Sequence, residues 1–142
     1  MTNHLTWKAW LVLTGSGLGL LLIYLSQQWT YAAAAGIDAG PNFTFAFNRT
    51  VRLLLNDSIF LLVFRVLFTH RPAYLRWAWS LFLIEILVIL PVYLVVKLML
   101  EGPTEISSPW LSTIHRMIVN PLLMGILLAA CYIQELKTKP RV

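Results

Sequence analysis

Charged residues make up only 12% of this 142-residue chain, while 58% of it is hydrophobic. Soluble globular chains carry roughly 25% charge, so the composition argues against a water-soluble domain. Cysteine is nearly absent: with Cys131 alone, neither an intrachain disulfide nor a Cys-clustered metal site can form. His4, His70 and His115 lie far apart, and none has a second ligand at helical spacing. No Gly-rich phosphate loop follows a strand. Metal and cofactor chemistry are therefore not expected.

What remains is apolar sequence in four runs, each near the roughly 20 residues needed to cross a bilayer core. The length allows one domain, residues 1–142, and the fold expected is all-α: a polytopic membrane bundle of four transmembrane helices at about 10–29, 49–68, 76–100 and 110–134. The connectors AAAAGIDAGPNFT, THRPAYLR and EGPTEISSP are rich in Gly and Pro, which stop and start helices. Trp10, Trp29, Tyr74, Trp77, Trp110 and Tyr132 mark span ends, where amphipathic rings suit the headgroup level. AAAAG at 32–36 imitates a signal-peptidase site. The apolar run before it is longer than a usual signal core and SQQWTY intervenes, so the first span reads as a retained anchor.

The net charge of +5 is a matter of placement. Lys8, Arg71, Arg76, Lys137, Lys139 and Arg141 fall on one side of an even-span topology, and Asp38, Glu101 and Glu105 on the other. Both termini are expected to be cytoplasmic, with the basic residues facing anionic membrane lipids and no nucleic acid implied. Multi-pass insertion in a membrane is the location this implies.

The second span is the unusual one. Thirteen of the eighteen residues from Val51 to Phe68 are large and apolar, yet Arg52, Asn56, Asp57 and Arg65 interrupt them. Each apolar residue favours insertion by roughly 0.3 to 0.6 kcal/mol, whereas a central Asp costs about 2.5 to 3.5. Such a helix should prefer protein neighbours to lipid. At about 100° per residue, Asn48, Arg49, Arg52 and Asn56 share one arc, with Asp57 on its shoulder. In the fourth span Arg116, Asn120 and Gln134 share another, with His115 beside it. We expect one polar cluster of Arg49, Arg52, Asn56, Asp57, His115, Arg116 and Asn120, joined by an Asp57–Arg116 pair. A second pair, Arg65–Glu85, is expected on the cytoplasmic half. Pro91 and Pro121 should bend the third and fourth helices.

Polar residues of this kind more often join helices than perform chemistry. The cluster could also dock an anionic headgroup, a partner's carboxylate or a substrate. Cys131 and His115 lie sixteen residues apart, about 24 Å on a helix, too far for a thiol–imidazole pair. No catalytic residue is assigned, and the chain reads as a non-enzyme. The alternative class is a small oligomeric transporter or lipid-handling protein using Asp57 and Glu85. Gly15 and Gly19 of GSGLG have the small-xxx-small spacing that would also serve a homo-oligomer.

RLLLNDSIFLLVF, LVILPVYLVV and IHRMIVNPLLMGILLAACYIQELK, in that order, resemble the small membrane proteins associated with exosortases in Bacteroidetes, the exosortase F-associated and X-associated families. The similarity covers residues 49–136. His115, Arg116, Asn120, Pro121, the 122–128 run, Tyr132 and Gln134 match the last-span pattern of those families, except that Ile133 separates Tyr132 from Gln134. The resemblance implies an inner-membrane accessory protein of a protein-sorting system, with the exosortase, an integral-membrane cysteine transpeptidase, as partner and source of the chemistry.

Overall fold

The computed structural model describes residues 6–26, 28–104 and 108–138. Lys139, Arg141, Glu105 and His4, used above for charge placement and ligand spacing, lie outside the described residues. Every regular element among the described residues is helical.

The first apolar run forms α1, Trp7–Leu25, and stops at Ser26, whose hydroxyl donates back to the Ile23 carbonyl at 3.0 Å. A single turn, α2 (Tyr31–Ala34), ends before Gly36, which takes a positive φ of 68°. α3 then runs Gly40–Leu67, 28 residues. It begins well before the expected residue 49, because Pro41 sits in its first turn, where a fixed φ and a missing N–H cost nothing. Part of the connector assigned to AAAAGIDAGPNFT is thus helix.

Pro72 likewise opens α4, Pro72–Ile84. A π-helical turn, Glu85–Ile89, joins it to α5, Leu90–Leu100. Pro91 accounts for this turn: it has no N–H to donate, its ring crowds the carbonyl four residues back, and a wider turn relieves both. The whole of Pro72–Leu100 remains a single 29-residue helix.

The expected fourth span is two helices, α6 (Pro109–Val119) and α7 (Leu122–Thr138), bent by 54°. Asn120, which precedes Pro121, has φ −88° and ψ 135°. A proline ring pushes its predecessor out of the α region, so the break belongs to the Asn-Pro dipeptide.

Among the described residues two helices, Trp7–Leu25 and Pro72–Leu100, are long and apolar enough to cross a membrane, and the bent α6–α7 pair would make a third. α3 has the length, but Arg49, Arg52, Asp57 and Arg65 keep it out of that class.

α3 is the central element and packs against α1, α2, α4, α5, α6 and α7. Two apolar cores form along it. Leu61, Phe64, Phe68, Tyr74, Ala78, Met124 and Cys131 fill the end near Leu67. Leu53, Leu90, Tyr93 and Leu111 fill the part nearer Gly40. Asn56 and Asp57 lie on α3 between these two cores. α1 packs along α3, with most of its large side chains exposed and Ser16 its one buried residue.

Candidate buried polar site

The polar residues of α3 do turn inward. Arg52, Asn56 and Asp57 are buried among apolar helices, as the arc on α3 anticipates. Asp57, however, faces Glu85 rather than Arg116. Their carboxyl groups are within hydrogen-bonding reach, and each residue is only 1% exposed. Two carboxyl oxygens can hydrogen-bond only when one carries a proton, so this contact requires a shared proton. No N–H or hydroxyl donor among the described residues reaches Asp57 Oδ2 or Glu85 Oε2.

Neither expected ion pair forms. Among the described residues no salt bridge joins Arg116 to Asp57 or Arg65 to Glu85. Arg65 lies exposed near the end of α3, and Arg116 is exposed on α6. Helical arcs give direction around one axis but not which neighbour fills it. Depth offers the missed signal. Counting from the turn between α3 and α4, Asp57 stands ten residues before Leu67 and Glu85 thirteen after Pro72. At 1.5 Å per residue these are about 15 and 20 Å, comparable depths on adjacent helices.

Toward the Gly40 end a second polar group forms. Arg49 lies over the Phe45 ring, with its guanidinium carbon 4.9 Å from the centroid, a cation–π geometry. Asn48 Oδ1 accepts a 3.0 Å hydrogen bond from the Ala32 N–H, which places Asn48 level with α2. His115 Nδ1 and the Tyr93 hydroxyl share a 2.9 Å hydrogen bond whose direction depends on the imidazole tautomer. Arg49, Arg52, Lys97 and Arg116 are all near enough to His115 to act on it electrostatically. His115 thus belongs to the expected cluster, whereas Asp57 pairs elsewhere.

Sequence reasoning passed over three contacts. Lys97, 1% exposed, donates to Glu101 Oε2, and Glu101 Oε1 accepts from the Ser108 N–H at 2.8 Å. These two donors hold the Glu101 carboxyl down to about 2, well below its ordinary 4.5, with the Lys97 bond the larger cause. Glu101 thereby ties the end of α5 to Ser108, the residue that precedes α6. Tyr93–His115 is the second contact, and Arg71–Glu135 at 3.2 Å, between α4's entrance and α7, is the third.

Two clefts open beside this site. One, about 120 Å³, is lined by Leu20, Ile23, Tyr24, Arg52, Asn56, Asn120 and Pro121, so α1, α3 and the α6–α7 break each form a wall. The other, about 240 Å³, lies near α2 and includes Trp29, Thr44, Asn48 and Arg49. Among the described residues no group of three or more His, Cys, Asp or Glu is placed to hold a metal. Cys131 is buried in the apolar core near the Leu67 end, among Phe64, Tyr74 and Met124. Comparison with protein-family models, with curated proteins and with solved structures returns no match.

Proposed function

We propose that this protein is a non-enzymatic accessory of the bacterial inner membrane that binds and positions an integral-membrane partner, and that the partner is an exosortase. The exosortase assignment rests on the sequence resemblance of residues 49–136. The observation that carries the docking reading is the exposure of Arg116 and Asn120 at the α6–α7 break. Arg116 lies seven residues into α6, about 10 Å from its start, at a depth where a cation facing lipid is costly. Pro121 withholds the N–H that the carbonyl of Met117 would take in a regular helix, and lipid offers no donor in its place. A partner helix carrying a carboxylate and a donor would satisfy both.

Four crossings with both termini cytoplasmic complete this reading: α3 becomes a span whose charged groups are turned inward or lie near its ends. Co-purification in mild detergent is the test. Arg116→Ala should release the exosortase while leaving the accessory protein folded. If deleting the gene left both the exosortase's abundance and substrate sorting unchanged, the proposal would fail.

A second reading is favoured by the Asp57–Glu85 contact, since a carboxyl pair sharing a proton inside a bundle suits proton-coupled movement across a membrane. Reconstituted protein should then carry proton-coupled flux that Asp57→Asn or Glu85→Gln abolishes. Flux that persisted in both variants would remove these carboxylates from any transport role.

A further inference from the structure

Arg71–Glu135 and Lys97–Glu101 join opposite charges, whereas Asp57 and Glu85 bring two acids together. Both residues are 1% exposed, and among the described residues no salt bridge reaches either carboxyl. Asp57 Oδ2 and Glu85 Oε2 are buried without a hydrogen-bond partner. Apolar cores close both directions along α3, with Leu53 and Leu90 toward Gly40 and Leu61 and Phe64 toward Leu67. The other titratable groups of the surrounding helices do not offset the pair. α3 carries Arg52 and Arg65, the Pro72–Leu100 helix Arg76 and Tyr93, α6 His115 and Arg116, and α7 Cys131, yet each carboxyl answers to its burial and to the other carboxyl. Like charges this close cannot both stay ionised, so the contact lasts only while a proton bridges it.

The contact also sits at a joint. Glu85 is the first residue of the π-turn, and the Leu90 N–H reaches back five residues to the Glu85 carbonyl. Such turns recur at functional sites, and a small rotation at one re-aims the whole helix that follows. α5, the helix that follows, is tied to α6 twice. Tyr93 bonds His115, and Glu101 bridges Lys97 to the Ser108 N–H. α6 in turn carries the exposed Arg116 and ends at Asn120. One proton therefore stands at the head of a chain of contacts that runs from α3 to the surface proposed for docking.

We infer that the Asp57–Glu85 pair is a one-proton lock: with the proton it holds α3 against the π-turn, and without it the carboxylates part and α5 turns at that joint, carrying α6 along. The O–H bond of one carboxyl breaks, the proton passes to water, and both groups become carboxylates, so no co-reactant is needed. A lock exchanges its proton with one side of the membrane, whereas proton-coupled flux needs both. The movement of α6 does not depend on the accessory reading; only its consequence for docking does.

Full-length protein, without any partner, is reconstituted into phosphatidylcholine nanodiscs and titrated from about pH 6 to 10, above the range in which ordinary carboxylates take up protons. Infrared difference spectra follow the carbonyl stretch of a protonated carboxylic acid. In a Cys131→Ser background, spin labels at Leu62 on α3 and Thr113 on α6 report the distance between these helices. The wild type should show the protonated band at the low end of the titration and lose it as pH rises, and the label distance should shift by roughly 2 Å over the same interval. Asp57→Asn combined with Glu85→Gln keeps a hydrogen-bonding pair with nothing to titrate. This double variant should lack the band and keep the low-pH distance throughout. If it fails to fold, the wild-type titration decides: a missing band, or a distance that does not change when the band disappears, overturns the inference. An equal shift in a folded double variant also overturns it, since His115 or another group would then be the switch. Docking is not measured, so a failure here leaves the accessory proposal standing.

Discussion

At Glu101 a single carboxylate holds two segments together, and its chemistry sets a pH dependence. The group is free to ionise near 4.5 in the unfolded chain and near 2 in the folded one. A depressed acid stabilises the fold above its unfolded value, and that contribution disappears as pH falls through the folded value. Between pH 8 and 5 this residue should leave the thermal midpoint unchanged. From about 4.5 down to 2 the midpoint should fall more steeply in the wild type than in Glu101→Gln, as circular dichroism melts in detergent can measure. The Asp57–Glu85 pair makes a different demand. Glu85→Gln retains a donor toward Asp57 and should melt close to the wild type. Glu85→Ala leaves a cavity and a buried, unsatisfied carboxyl at once, and should cost roughly 3 kcal/mol. Equal losses for the Gln and Ala variants would show that the hydrogen bond contributes nothing.

Among the elements, the two proline-bearing helices respond differently to the same residue type. Pro91 is absorbed by a π-turn within one long helix, whereas Pro121, preceded by an asparagine that accepts extended geometry readily, breaks α6 from α7. Pro121→Ala restores an N–H and relaxes Asn120. Spin labels at Thr113 and Leu136 should therefore move apart as the 54° bend opens, and under the proposed docking role an exosortase should co-purify less. Both prolines announce a disturbance in the sequence; which of two responses follows depends on neighbours that packing supplies. Of the three glycines in GSGLG, only Gly19 meets a neighbour. A Cβ there would lie 3.1 Å from Ile59 Cδ1, while nothing approaches Gly15. Gly19→Ala asks only a small shift of a flexible side-chain tip, but Gly19→Leu should separate α1 from α3.

For the whole molecule, the existence and order of the apolar helices could be read from hydrophobic runs and their Pro and Gly stops, and so could the inward turn of Arg52, Asn56 and Asp57. The carboxyl pair could not, because periodicity orients one helix at a time and says nothing of what stands opposite. Lys97 escaped notice for a related reason: at a span end a lysine reads as snorkelling to water, and only the fold shows Glu101 folding back to cover it. The proposed topology makes its own prediction. In a Cys131→Ser background, a cysteine at Gln28 should react with a membrane-impermeant maleimide in intact cells, and one at Thr69 only after lysis. The reverse pattern would invert the orientation, and equal labelling at both positions would remove α3 as a crossing.

α1 leans on the rest of the bundle chiefly through α3, and neither apolar core draws on it. Tilting α1 outward would therefore widen the cleft at Arg52 without loosening either core. The α1–α3 seam is what bounds that cleft, so a substitution that pries the seam apart, such as Gly19→Leu, should open it while both cores keep their packing.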